Sequence, residues 1–213
     1  MEPLDDTKFS GTKEVAEHLS IEASKLQPWI DEFVSGAGKI FSIEQFKGGQ
    51  SNPTYKIITE NKNLVLRRKP PGKLLPSAHA VDREYKVITA LFETEVPVPK
   101  TYGLCEDNNV AGTAFFVMDY LDGDLFWDPM IPSVTKKDRT EIYQNKNKAL
   151  AKLHSIDFKK IGLENYGKPG NYVARQVSRW SKQYRASETD NIEAMNNLIC
   201  LLYTSPSPRD TNE

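Results

Sequence analysis

The chain has 213 residues, and 28 Lys and Arg stand against 29 Asp and Glu, leaving a formal net charge of −1. A chain of this length supports one or two domains with a real core, and near-neutrality excludes a global field that draws in nucleic acid or an anionic membrane. Any phosphate recognition must therefore be local. No run approaches the roughly 20 apolar residues of a membrane span, and the two cysteines, Cys105 and Cys200, with the scattered His18, His79 and His154, speak against a metal site and suit a reducing compartment.

The opening Met1-Glu2-Pro3-Leu4-Asp5-Asp6 is acidic and has no apolar leader core, so the cytoplasm is the default location and the first ten or so residues read as a flexible lead-in. Residues 24 to 35 are expected to form a helix. Ser24 and Gln27 have capping-box spacing, Leu26, Ile30, Phe33 and Val34 make one stripe, and Pro28 is placed in the first turn. From 40 to 69 the pattern is strand, turn, strand, turn, strand. Residues 78 to 92 read as a second helix with Val81, Tyr85, Ile88, Leu91 and Phe92 on one face. The segment Val96-Pro97-Val98-Pro99 favours an extended path, 113 to 121 is a mainly apolar strand, and 136 to 155 is a helix with Leu150 and Leu153 inward. Residues 170 to 200 continue as helix. The order predicts an α+β fold: a small antiparallel lobe with one helix, then a helical lobe beginning after Gly123.

The stretch Gly48-Gly49-Gln50-Ser51-Asn52-Pro53-Thr54-Tyr55 sits between two apolar runs, with Arg67-Arg68-Lys69 one strand further on. Glycines there let the backbone approach an anion closely, and a cation can fix it, although Gly-Gly hairpins are also common structural turns. Strand alternation puts Val65, Arg67 and Lys69 on one face and Leu64, Leu66 and Arg68 on the other. Glu84 falls inside the apolar arc of its helix, where a carboxylate needs a partner, and Arg67 is the candidate. The alternatives are a Glu at the stripe edge reaching water and a solvated strand cation.

Together with Asp82-Arg83-Glu84-Tyr85, Val117-Met118-Asp119-Tyr120 and Ile161-Gly162-Leu163-Glu164-Asn165-Tyr166-Gly167, these runs resemble the aminoglycoside phosphotransferase-like branch of the protein-kinase-like fold. They look most similar to the kinase-like N-terminal domain of some acyl-CoA dehydrogenase family members, over residues 40 to 199. The resemblance implies that Gly48, Gly49, Gln50, Ser51 and Asn52 cover the phosphates of ATP and that Arg67 takes the place of a phosphate-binding lysine, with Glu84 as its partner. It further implies that Val65 packs on the adenine and that the connector Met118, Asp119 and Leu121 borders it, Asp119 and Leu121 with backbone groups. The implied reaction is phosphorylation of a small-molecule hydroxyl, such as that of a hydroxy-acyl-CoA, with magnesium needed by the full-length parent and an acyl-CoA dehydrogenase domain fused to it.

The family's catalytic loop reads His-Gly-Asp with an Asn five residues after the Asp, and this sequence contains no His-Gly-Asp. His154-Ser155-Ile156-Asp157 has the wrong spacing, so His154 is read as a helix-end residue near the core and Asp157 as a turn residue. The Thr204-Ser205-Pro206-Ser207-Pro208 tail has the composition of a disordered segment. The expected organisation is a lead-in and helix (1–39), an ATP-binding lobe (40–122), a partial helical lobe (123–199) and an unrelated tail (200–213). The chain is then a truncated kinase fragment without catalytic residues; the other reading is a non-catalytic nucleotide-binding or interaction module.

Overall fold

The computed structural model describes residues 10–48, 51–72, 79–168 and 170–204. The chain divides into two compact units, Met1–Ile161 and Gly162–Glu213. The first contains β1 (Thr12–Lys13), a short 3-10 turn (Glu17–Leu19), α1 (Ala23–Phe33), β2 (Ile40–Phe46), β3 (Thr54–Thr59) and β4 (Asn63–Arg68). It continues through α2 (Val81–Phe92), β5 (Thr101–Cys105), α3 (Asn108–Ala111), β6 (Phe115–Asp119) and α4 (Lys136–His154). The second unit holds α5 (Tyr172–Ala186) and α6 (Glu193–Thr204), which pack on each other. No helix among the described residues is long and apolar enough to cross a membrane.

Six strands form one antiparallel sheet in the order β1-β2-β3-β4-β6-β5. Its composition follows strand alternation. Leu64 and Leu66 of β4 share a face with Tyr55 and Ile57 of β3 and with Phe115 and Val117 of β6, and all six are fully buried. Helix α1 lays Leu26, Trp29 and Ile30 on that face, with Trp29 edge-on to Phe115 at 5.1 Å. Val65, Arg67, Phe116 and Met118 point to the opposite face, where Tyr85 of α2 meets Phe116 at a centroid separation of 6.0 Å. The two faces therefore divide the labour: α1 covers the core, and α2 flanks the site.

Several local expectations are corrected. No side chain caps α1: its N-cap is Glu22, and Ser24 lies inside the helix. Gln27 instead bridges the helix to β2, donating to the Gly38 carbonyl at 3.3 Å and accepting from the Ile40 N–H at 2.7 Å. Pro28 sits beyond the first turn, so α1 forgoes the bond that residue 28 would donate to the Ser24 carbonyl. The expected lead-in includes β1, whose Thr12 pairs with Phe46 and donates a 2.6 Å hydrogen bond to Glu44. Leu150 and Leu153 of α4 are exposed rather than inward, because no element of the same unit packs extensively on that helix. His154 does end α4 but is exposed too, whereas Asp157 is a turn residue, accepting from the Lys159 N–H at 3.1 Å. The stretch 170 to 200 is two helices, and the second runs on to Thr204.

Candidate functional site

A cavity of about 990 Å³ opens on the α2 side of the sheet in the first unit. Such a volume suits a ligand of nucleotide size, since small-molecule sites span roughly 300–1,000 Å³. Of the residues singled out from sequence, Gly48, Val65, Arg67, Met118, Asp119 and Leu121 line it. Ser51 is exposed and not in the lining, and Gly49 and Gln50 lie outside the described residues. Asn52 and Glu84 stand behind Arg67 rather than in the wall.

The strand register explains the arrangement. Thr54 opens β3 directly opposite Arg67 of β4, so their side chains share one face, and the Thr54 hydroxyl accepts from Arg67 Nη1 at 3.0 Å. Helix α2 brings Glu84 to the same place, where its carboxylate accepts from Arg67 Nε and from Nη2 at 3.3 Å. Two faces of the guanidinium are thus held by protein, which leaves one N–H on each terminal nitrogen for a ligand. Both partners remain partly solvated, with side-chain exposures of 27% and 36%, so the ion pair orients the cation more than it stabilises the fold. A fixed, partly exposed arginine in the wall of a mainly apolar cavity is suited to a planar anion such as a phosphate oxygen pair.

The far wall is the connector after β6. Asp119 donates its backbone N–H to the Lys100 carbonyl at 2.9 Å, and its carboxylate accepts from the Tyr102 hydroxyl at 2.6 Å. Burial first, then the Asp119 hydrogen bond and charge, push the Tyr102 hydroxyl up to about 12. Phe46 and Tyr120 face each other across the cavity lining with centroids 6.4 Å apart, and Lys56 lies 4.4 Å above the Tyr120 ring. Ser10 and Gly11 complete the wall beside Trp127, whose indole donates to the Ser10 hydroxyl at 3.2 Å. No group of three or more His, Cys, Asp and Glu converges among the described residues.

Residues 42–203 match the profile of the phosphotransferase enzyme family. The chain belongs to that family. A Ralstonia eutropha protein assigned as an aminoglycoside phosphotransferase has a crystal structure that superposes with a TM-score of 0.73 at 43% identity, covering 90% of this chain and 56% of that one. The α+β, protein-kinase-like architecture expected from sequence is therefore the fold of this phosphotransferase family member. Curated relatives carry a different name. A probable acyl-CoA dehydrogenase of Arabidopsis thaliana is 54% identical over 155 residues, 70% of this chain and 19% of that protein. Acyl-CoA dehydrogenase family member 10 of Mus musculus is 48% identical over 73% of this chain and 14% of its own length. Family member 11 of Homo sapiens is 38% identical over 97% of this chain, and there the chain spans 27% of the relative. The phosphotransferase chain thus corresponds to about a quarter or less of these relatives.

Sequence reasoning overlooked Thr54, His79 and the Ser10–Trp127 wall. Thr54 had a usable signal, because pairing β3 with β4 around their turn places it across from Arg67. His79 and Trp127 had none, since each meets its partner over a long chain separation.

Proposed function

We propose that this chain supplies the ATP-binding portion of a small-molecule kinase that transfers a phosphoryl group to a hydroxyl. The observation carrying the reading is Arg67, held by Glu84 and Thr54 at the wall of the 990 Å³ cavity with donors left over for an anion. Gly48, Gly49, Gln50 and Ser51 would cover the phosphates, Val65 and Met118 would pack on the adenine, and Leu121 would offer it a backbone amide. Because the Asp119 N–H is engaged by Lys100, only the Asp119 carbonyl is left to meet the base. ATP fits the residues present. Magnesium supplies charge neutralisation between phosphates in this chemistry, but the described residues offer no cluster of His, Cys, Asp and Glu to hold it.

The names of the relatives favour a hydroxy-acyl-CoA as acceptor, with an acyl-CoA dehydrogenase domain in the same polypeptide. Since His-Gly-Asp is absent from the sequence, the proton acceptor for the hydroxyl is missing, and this chain should bind nucleotide without turnover. Titration calorimetry with ATP tests the reading. Wild type should bind, and Arg67→Met should weaken binding about tenfold or more, as loss of a charge-assisted hydrogen bond implies. Equal affinities for the two proteins would remove Arg67 as the anchor. Binding without phosphoryl transfer to any offered acyl-CoA hydroxyl, even when the chain is joined to the remainder of a relative's kinase region, would instead leave a non-catalytic nucleotide-binding module.

A further inference from the structure

Behind Arg67 lies a hydrogen-bond circuit that the nucleotide reading does not require. Asn52 is 3% exposed, and a buried amide must satisfy both ends. Its Nδ2 lies 3.0 Å from Glu84 Oε1 and its Oδ1 lies 2.8 Å from His79 Nδ1. The carboxylate can only accept, so the amide nitrogen must face it, and the Asn52 oxygen then faces the imidazole. That orientation requires a proton on His79 Nδ1. The donors run in one direction: His79 to Asn52, and Asn52 to Glu84. Arg67 donates to the same carboxylate and to Thr54, and the Thr54 hydroxyl donates back to the Asn52 carbonyl at 3.1 Å. The ring closes on itself. It joins the glycine hairpin, β3, β4, α2 and the segment preceding α2.

His79 occupies this place with a φ of 57°, a left-handed conformation that non-glycine residues seldom adopt. Local strain of this kind persists where surrounding contacts hold it, and here those contacts include the side-chain bond to Asn52 and the Val81 N–H donating to the His79 carbonyl at 2.9 Å. Thr54 and Glu84 each touch the arginine directly, but Asn52 and His79 do not. Their geometry can act on a ligand only through the carboxylate that aims the guanidinium.

We propose that Asn52 and His79 are positioning residues: they fix the Glu84 carboxylate, and through it the Arg67 guanidinium, in the phosphate-binding orientation before any ligand arrives. Asn52 is then a brace of the anchor rather than one of the phosphate contacts. The proposal rests on the nucleotide reading above and assigns the residues that set its phosphate affinity.

Calorimetric titration of the 213-residue chain with ATP and, separately, with adenosine tests it, alongside a thermal melt of each variant. His79→Gly removes the donor while accepting the positive φ without strain. His79→Asn restores an N–H one bond beyond Cγ, where the imidazole Nδ1 stood, and also tolerates that φ. The expected result is that His79→Gly binds ATP about tenfold more weakly with adenosine affinity unchanged, and that His79→Asn recovers most of the loss. Asn52→Ala should show the same ATP-specific loss. A merely structural role would weaken both ligands together, in step with any fall in melting temperature, and that result overturns the proposal. If wild type prefers ATP to adenosine, Arg67→Met abolishes the preference and His79→Gly keeps it, the nucleotide reading stands and the positioning role is overturned. If wild type shows no preference for ATP, both fall.

Discussion

Successive residues of a strand face opposite sides of the sheet, and in β4 this rule separates two arginines. Arg67 looks into the cavity. Arg68, 3% exposed, faces the other way and donates to the Ala111 carbonyl at 2.6 Å, the Leu19 carbonyl at 2.8 Å and the Tyr55 hydroxyl at 2.6 Å. Burial pushes the Arg68 guanidinium below its usual value and the Tyr55 hydroxyl above its own, with their mutual attraction opposing both shifts. From sequence, the Arg67-Arg68-Lys69 run looks like a solvated cluster; nothing within it says that Arg68 gathers carbonyls from 49 and 43 residues away. Arg67 was easier to read, because Glu84 sits on an apolar arc and needs a cation. Tyr102 carries the pH dependence at this scale. Its folded value, about 12, stands above the ordinary 10.0, so the folded state keeps the proton longer than the unfolded chain. Its contribution is fully present below pH 10, and stability falls as pH rises through the window to about 12. Tyr102→Phe should therefore show a shallower loss between pH 10 and 11.5 in urea unfolding, with the remaining slope left to Tyr55 and the other groups. An unchanged slope would mean that the Asp119 contact does not hold that proton.

Among the elements, α1 and β5 approach tightly at Gly103. A Cβ added at Gly103 would stand 3.0 Å from Trp29 Cζ2 and 3.1 Å from Phe33 Cδ1, two rings that stack at 4.7 Å and have little room to retreat. Gly103→Ala is expected to destabilise the fold by about 1–3 kcal/mol as an overpacking change, read as a lower thermal midpoint with the far-UV spectrum intact. A neutral effect would show that α1 can lift off the sheet. Strands β2, β3 and β4 and helix α2 were legible because each carries its own period, of two or of 3.6 residues. The cap of α1 was not. Ser24 and Gln27 have the right spacing for a capping box, yet Gln27 finds Gly38 and Ile40 on the next strand, and such tertiary partners leave no local mark. The two-residue β1 is likewise too short for periodicity and exists because the edge of β2 offers it partners.

Across the whole molecule, apolar coverage is uneven. The central strands bury Tyr55, Ile57, Leu64, Leu66, Phe115 and Val117 fully, while Leu150 and Leu153 on α4, Trp180 on α5 and Leu201 and Leu202 on α6 are exposed. Unclothed apolar helix faces promote association. The double change Leu150→Gln and Leu153→Gln should leave stability within about 0.5 kcal/mol, as surface substitutions do, while reducing self-association in sedimentation velocity. A large loss of stability would place those leucines in a packed interior. The strand order has a consequence for the making of the protein. In the finished sheet β6 lies between β4 and β5, yet it is the last of the three to be synthesised. Until Asp119 emerges from the ribosome, β4 has no neighbour on that side, and Leu64 and Leu66 lack Phe115 and Val117 beside them. At about 5–20 residues per second, the roughly fifty residues from β4 to the end of β6 take several seconds. For that interval the nascent chain holds out an apolar strand with an open edge, which is where a chaperone that grips extended segments would find its purchase.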